Sequence, residues 1–156
     1  MIELVMSLML WISTQTGWAV PEPPTITYIE NGKEMFLMSH DCDGQPNQPI
    51  CETYDGGETN ILGLYHSVSG TIYLSKDFWQ SSTRDQSILL HELVHHMQYN
   101  RDYKYYKSLC RGDIEKEAYD LQEKWLKQRG KSLYETIELG PLMRHVLTQC
   151  EFGFGG

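Results

Sequence analysis

Residues 81–98 read SSTRDQSILLHELVHHMQ, and this stretch decides how the rest of the chain must fold. Its apolar residues recur every three or four positions, as on one side of an α-helix that packs into a core. Ser82 with Asp85, or Thr83 with Gln86, forms a capping pair typical of a helix start. Neither proline nor glycine interrupts the stretch. The sequence therefore predicts a buried amphipathic helix here.

The same helix carries an HExxH pattern, formed by His91, Glu92 and His95. Residues four apart lie on one helix face with Cβ atoms about 5–6 Å apart, which lets two imidazoles reach one zinc ion. Glu92 would lie beside the open coordination position, where a carboxylate can take a proton from zinc-bound water. We therefore predict His91 and His95 as zinc ligands and Glu92 as the general base.

A third ligand is required, because catalytic zinc takes three protein ligands and keeps a fourth position for water. Residues 112–129 read GDIEKEAYDLQEKWLKQR, which predicts a second helix that stops at Gly130. Glu115 shares one face of this helix with apolar residues and is expected to point inward. Glu117 lies about 200° away around the helix and is expected to be solvated. Glu115 is therefore the predicted third ligand.

These motifs occur in an order that resembles the gluzincins, the thermolysin-like branch of the zincin metallopeptidases. The HExxH pattern is followed, after nineteen residues, by a glutamate in an E-x-x-A-Y pattern. The stretch 64–126 is also similar to short bacterial proteins of uncharacterised function with a Y…GTIYL…HELVHHxQ…C…E-x-EAY-x-LQ arrangement. The resemblance implies a peptidase acting on a peptide or protein substrate. It also implies Zn²⁺ held by His91, His95 and Glu115, with Glu92 as general base.

The residues leave two other functions open: a zinc hydrolase of a non-peptide bond, and a zinc-stabilised binding module without turnover. The group that would stabilise the oxyanion of the reaction is also left open. The candidates are side chains after the HExxH pattern: Tyr99, Tyr103, Tyr105, Tyr106 and His145. His96 is rotated about 100° from His95, so it is expected at the helix surface or behind a ligand. His40, His66 and His145 have no ligand spacing and are expected to be ordinary polar residues.

Length and pattern predict one α+β domain over residues 1–156. We expect a minimal zincin-like domain in which a small β-sheet packs on the HExxH helix and the following helix with Glu115. Residues 70–74, GTIYL, predict a strand whose edge could hold an extended peptide beside the metal. Residues 25–29 and 34–38 predict a hairpin around an Asn-Gly turn.

The two ends of the chain are predicted to flank this domain. Residues 1–20 are expected to form an N-terminal helix that ends near Gly17, with an export segment as the alternative. Ser132 with Glu135 predicts a short helix start, and Pro141 predicts the start of a final helix. Residues 152–156 are glycine-rich and are expected to be a frayed tail.

The charge of the chain limits its partners. A formal net charge of −8 argues against a nucleic-acid partner, because phosphate contacts need a basic surface. The apolar run at residues 2–12 is too short to span a bilayer, so no membrane span is predicted. Basic residues alternate with tyrosines over 101–111, which predicts a solvated loop or, alternatively, one wall of a substrate cleft.

Four cysteines bear on the compartment in which the chain works. Cys42 and Cys51 bracket a polar loop at 41–58, and Cys110 and Cys150 form a second candidate pair, although three connectivities remain open. Paired cysteines would indicate an exported or periplasmic protein, and unpaired ones a cytoplasmic protein.

Overall fold

The computed structural model describes residues 1–30 and 62–150 of the chain. These form a small α+β fold. The helices are α1 (Ile2–Thr16), α2 (Thr83–Arg101), α3 (Tyr103–Ser108), α4 (Arg111–Lys127), α5 (Leu133–Ile137) and α6 (Pro141–Leu147). The strands are β1 (Thr25–Ile29), β2 (Gly63–His66) and β3 (Thr71–Ser75). The predicted strand at 34–38 and its turn, the loop at 41–58, Cys42, Cys51, His40 and the tail at 152–156 lie outside the described residues.

Helix α2, the predicted HExxH helix, runs through the centre of the fold. It begins as predicted at Ser82, whose hydroxyl accepts a hydrogen bond of 3.2 Å from the backbone N–H of Asp85. Its apolar side chains are fully buried against neighbours on several sides: Leu89, Leu90, Leu93 and Val94. Each such burial stabilises the fold by roughly 1.5–3 kcal/mol. The helix that carries the two histidines is therefore held rigidly.

Helix α1 packs on α2 and supplies part of the core. Val5, Leu8, Met9 and Ile12 lie on its inner face at helical spacing and are buried. The helix ends at Gly17, whose φ of 75° closes the last turn in the left-handed conformation that glycine adopts without strain. The predicted N-terminal helix is therefore present and belongs to the core.

In the described part of the chain, the sheet has three strands in the order β1-β3-β2. Strand β1 is parallel to β3, with Thr25 opposite Thr71, and β2 is antiparallel to it, with Leu64 opposite Tyr73. The strand predicted at 70–74 is found one residue later, but the expectation that it forms an edge is wrong. It pairs with β1 on one side and with β2 on the other. Pairing between distant segments decides this order, and local sequence does not encode such pairing.

Helix α4 packs along α2 and brings a second set of side chains to it. Its buried side chains include Ala118, Trp125 and Leu126. Near its first turn, Gly112 lies against the backbone that follows α6. A Cβ at Gly112 would approach the backbone of Thr148 and Gln149 to 2.8 Å. A disulfide between Cys110 and Cys150 closes the same junction.

The segment 101–111 is not the loop that its polarity suggested. It contains the short helix α3, whose first turn is capped by the Asp102 carboxylate accepting from the backbone N–H of Tyr105 at 3.0 Å. Tyr106 is buried and anchors this helix on the fold. The predicted starts at Ser132 and Pro141 are both found, the first as a complete capping box with Glu135. Within the described ranges, none of the helices has the length and apolarity needed to cross a bilayer.

Candidate metal centre

Two helices bring the three predicted ligands together. His91 and His95 lie one turn apart on α2, and Glu115 projects from the second turn of α4. The two histidine Nε2 atoms are 3.2 Å apart. Glu115 Oε2 lies 2.9 Å from Nε2 of His91, and Glu115 Oε1 lies 3.5 Å from Nε2 of His95. Only 7% of each histidine is exposed to solvent, so the cluster is largely dehydrated.

The far side of His95 is held by a buried glutamine. Nδ1 of His95 lies 2.9 Å from Oε1 of Gln98. The amide nitrogen of Gln98 donates to the Ile114 carbonyl at 3.1 Å and to the Glu117 carboxylate at 2.7 Å. Both partners are pure acceptors, so this amide can only be oriented with its oxygen towards His95. Nδ1 of His95 therefore carries the proton.

A second buried glutamine fixes the position of the proton on His91. Its Nδ1 lies 3.0 Å from Oε1 of Gln122. The Gln122 amide nitrogen donates to the Ser87 hydroxyl at 3.2 Å. That hydroxyl in turn donates its one hydrogen to the Arg84 carbonyl at 2.7 Å. Ser87 can therefore only accept from Gln122, which leaves the glutamine oxygen facing His91. Nδ1 of His91 carries the proton as well.

These tautomers turn two lone pairs towards the Glu115 carboxylate. In the neutral form each histidine has its free lone pair on Nε2, so three acceptor groups converge with no hydrogen of their own between them. Such a cluster needs a cation. In tetrahedral zinc with ligand bonds of about 2.0–2.1 Å, neighbouring ligand atoms are about 3.3 Å apart. The observed separations of 2.9, 3.2 and 3.5 Å bracket that value, so the residues fit a zinc ion.

Electrostatics in the absence of a metal agree with this reading. Burial by itself would lower the pKa of His95, but the charge and hydrogen bond of Glu115 outweigh burial and raise that pKa to about 9. Burial would raise the pKa of Glu115, but the charge of His95 and its hydrogen bond hold that pKa well below its usual range. Without a metal, a proton supplies the cation that the cluster needs.

Glu92 does not join this cluster and is held separately. Its Oε2 accepts a hydrogen bond of 2.9 Å from the backbone N–H of Tyr65 in β2. Among the described residues, no hydrogen bond uses its Oε1. Only 9% of Glu92 is exposed. One carboxylate oxygen of Glu92 is thus held by the backbone of β2.

Tyr119 lies beside the cluster and was not among the residues that the sequence singled out. It stands one turn after Glu115 on α4, and its ring centroid is 4.6 Å from that of His91. Burial, then the charges of Glu115 and Glu92, raise the pKa of the Tyr119 phenol. The hydroxyl therefore keeps its proton and remains a hydrogen-bond donor through the neutral pH range. Tyr119 is the last residue of the E-x-x-A-Y pattern, but the pattern did not indicate its contact with His91.

A comparison with protein-family models identifies the family of the chain. A family model described as "Domain of unknown function (DUF6647)" matches residues 1–137. The chain belongs to this family. Neither the comparison with curated proteins nor the comparison with solved structures finds a match. The matched span contains the three described strands, helices α1–α5 and every residue of the histidine–glutamate cluster, and leaves out α6.

Two predictions about neighbouring residues are corrected by the structure. Glu117 is not simply solvated: its carboxylate accepts from Gln98 and, at 3.0 Å, from the hydroxyl of Tyr106. His96 is not at the helix surface but 4% exposed, and its Nε2 donates to the Glu22 carbonyl at 2.8 Å. It joins α2 to the segment before β1 and is not a ligand. Helical rotation gave the direction of each side chain correctly but could not show which other element would cover it.

The predicted oxyanion donors differ in what surrounds them. The hydroxyl of Tyr106 is occupied, because it donates to Glu117 and accepts from Arg101 at 3.1 Å. Tyr103 and Tyr105 are exposed by 44% and 52%. His145 lies on α6 in a groove lined by residues that belong to no part of the cluster. Tyr99 and the unpredicted Tyr119 remain, and Tyr119 has direct ring contact with a ligand.

A groove of about 420 Å³ on another face of α4 contains none of the three ligands. Charged side chains that line this groove form ion pairs with one another, since Arg144 binds the carboxylates of Asp120 and Glu123. The ligand atoms of the histidine–glutamate cluster lie close enough together to hold one metal ion, whereas the charges of Arg144, Asp120 and Glu123 in the groove are paired with one another.

Proposed function

We propose that this chain is a zinc-dependent peptidase, with zinc held by His91, His95 and Glu115. The observation that carries the proposal is the convergence of three lone-pair groups at separations of 2.9–3.5 Å. A second carboxylate, Glu92, stands outside the ligand set yet follows the first ligand directly. A purely structural zinc site has four protein ligands and needs no such base. Among the described residues, this site offers three ligands and a base.

When bound, zinc would lower the pKa of a water molecule and polarise the carbonyl of the substrate. The chain's own residues supply the remaining steps. Glu92 accepts the proton of the attacking water on its free oxygen and then delivers that proton to the departing amine. Tyr65 holds the other oxygen of Glu92 in place throughout. The Tyr119 hydroxyl donates a hydrogen bond to the oxyanion that develops on the substrate carbonyl.

The position of β2 supports a peptide as the substrate. In an antiparallel strand, a residue points its N–H and its C=O to the same side. The N–H of Tyr65 points away from β3 towards Glu92, so its carbonyl faces that side as well. Among the described strands, none pairs with this side of β2. An extended peptide aligned there would have its backbone next to the general base.

The proposal is tested by Glu92→Gln with a mixed peptide library and a panel of esters. We expect the variant to bind zinc as the wild type does and to lose peptide hydrolysis by about 10²–10⁴-fold, since it lacks the base. Ester hydrolysis alone would identify the non-peptide hydrolase. Zinc binding without hydrolysis of any substrate by the wild type would favour the binding module, and equal hydrolysis by variant and wild type would contradict the proposed mechanism.

We further propose that the chain works in an oxidising compartment. The disulfide between Cys110 and Cys150 supports this, because such bonds persist in exported proteins and are reduced in most cytosols. Thiol titration of protein purified from its native compartment, under denaturing and alkylating conditions, tests it. Free thiols at both positions would contradict it.

A further inference from the structure

The two histidines are anchored unequally, although each binds one glutamine. The amide nitrogen of Gln122 donates to the neutral hydroxyl of Ser87, which itself donates to a backbone carbonyl. The amide nitrogen of Gln98 donates to the charged carboxylate of Glu117 at 2.7 Å. A hydrogen bond to a charged group is about twice as strong as a neutral one. His95 therefore has the stronger support.

The support of His95 continues beyond Glu117 into a third helix. The Tyr106 hydroxyl donates to Glu117 at 3.0 Å and accepts from the Arg101 guanidinium at 3.1 Å. Gln98 and Tyr106 are buried, with 0% and 1% of their surface exposed. The chain of bonds thus links α2, α4 and α3 through side chains that have little freedom to move.

We propose that Gln98, anchored by Glu117 and Tyr106, is the positioning residue that fixes the ring orientation and the Nδ1–H tautomer of His95 for metal binding. This rests on the proposed zinc site and adds to it the residues that preorganise it. Groups that hold metal-binding histidines through the second ring nitrogen typically change metal affinity by 10–100-fold. It also gives the tyrosine-rich segment a role: Tyr106 acts on the metal site without touching the metal.

The experiment compares Gln98→Met with the matched control Gln122→Met. Methionine keeps the length of the side chain and removes both its hydrogen-bonding groups. Two quantities are measured: the Kd for zinc, by competition with a chelator, and the hydrogen exchange of the His95 Nδ1–H, by ¹⁵N-edited NMR of the metal-free protein. We expect Gln98→Met to weaken zinc binding by roughly 10–100-fold and to expose the His95 Nδ1–H to rapid exchange. Gln122→Met should leave that signal unchanged and weaken zinc binding less.

Tyr106→Phe provides a second variant at a distance from the ligand, in case Gln98→Met does not fold. It removes one hydrogen bond to Glu117, and we expect roughly twofold or more weakening of zinc binding with faster exchange of the His95 Nδ1–H. An unchanged zinc Kd in folded Gln98→Met, or an unchanged His95 signal in either variant, would overturn the inference. If the wild type binds no zinc, the proposed function fails while the NMR comparison still decides whether Gln98 holds His95.

Discussion

The backbone N–H of Tyr65 lies 2.9 Å from Oε2 of Glu92, so the sheet holds the carboxylate next to the metal cluster. A general base must be within hydrogen-bond reach of the proton that it abstracts. A carboxylate free to rotate would spend little time in that position. In the proposed mechanism, strand β2 would position the general base through its backbone, and side-chain patterns in the sequence do not report such a contact.

Gly63→Ala tests this contact between β2 and the base. A Cβ at this position would meet Ile88 at 3.0 Å and Cγ of Glu92 at 3.1 Å. We expect β2 and α2 to move apart, with a loss of stability of about 1–3 kcal/mol and a lower kcat, while zinc affinity stays the same. Gly70→Ala is the control, because its φ of 64° strains alanine where no neighbour lies within 4 Å. A Gly63→Ala enzyme with unchanged kcat would contradict the role given to β2.

Tyr119→Phe tests the oxyanion donor. Removing one such donor typically lowers kcat by about 10²–10³-fold. We expect that loss in kcat with zinc affinity within about twofold of the wild type, because the ring contact with His91 survives. Tyr103→Phe, an exposed tyrosine of the original candidate set, should change neither quantity. Full activity of Tyr119→Phe would return the role to Tyr99.

The pH dependence of stability should reverse when zinc is added. The pKa of His95 in the folded, metal-free protein is raised from 6.5 to about 9. The stability this gives is fully present below pH 6.5 and is lost as the pH rises through 9. The pKa of Glu115 is lowered, so its contribution is present above pH 4.5 and is lost as the pH falls towards the folded-state value. The Tm of metal-free protein should therefore fall between about pH 6.5 and 9.

Zinc must displace the same proton, so the stabilisation by zinc should grow over that pH range. Differential scanning calorimetry with and without saturating zinc measures both slopes. Glu115→Gln is the control, because it removes the charge that raises the pKa of His95 and should flatten the metal-free profile. A metal-free Tm that rises from pH 6.5 to 9 would contradict the assigned protonation state.

Reduction of the disulfide should destabilise the fold around the Glu115 helix. Cys110 and Cys150 are 40 residues apart in sequence, and closing a loop of that length lowers the entropy of the unfolded chain by an amount worth about 4 kcal/mol. We expect Cys110→Ser with Cys150→Ser to lower the free energy of unfolding in urea by up to that amount. A reductant should have the same effect on the wild type and none on the double variant. Equal stability with and without reductant would contradict a structural role for this bond.

Local patterns in the sequence were sufficient for the helices other than α3 and for the directions of the predicted ligands. Period-3.6 spacing placed His91 and His95 on one face and turned Glu115 inward, and capping pairs located the helix starts at Ser82 and Ser132. These features depend on neighbours in sequence. The α+β class followed from them.

What the sequence could not give depends on contacts between distant segments. Gln122 is an ordinary polar residue of α4 until that helix packs on α2 and brings its amide to His91. Gln98 lies on the same helix as His95, but its own anchors, Ile114 and Glu117, come from α4. A signal was present in retrospect: Gln98 lies three residues after His95, and Gln122 lies seven after Glu115, each on its ligand's face. The sheet order and the hydrogen bonds of Glu117 to Gln98 and Tyr106 had no comparable local signal.

The central claim is tested most directly by the zinc content of the purified protein, measured by elemental analysis after reconstitution and desalting. Two variants remove ligands, His95→Ala and Glu115→Gln, and two controls change the same residue types elsewhere, His66→Ala and Glu123→Gln. We predict about one zinc per chain in the wild type and both controls, and loss of zinc from both ligand variants. No zinc in the wild type, or full zinc occupancy in Glu115→Gln, would contradict the metal centre described here.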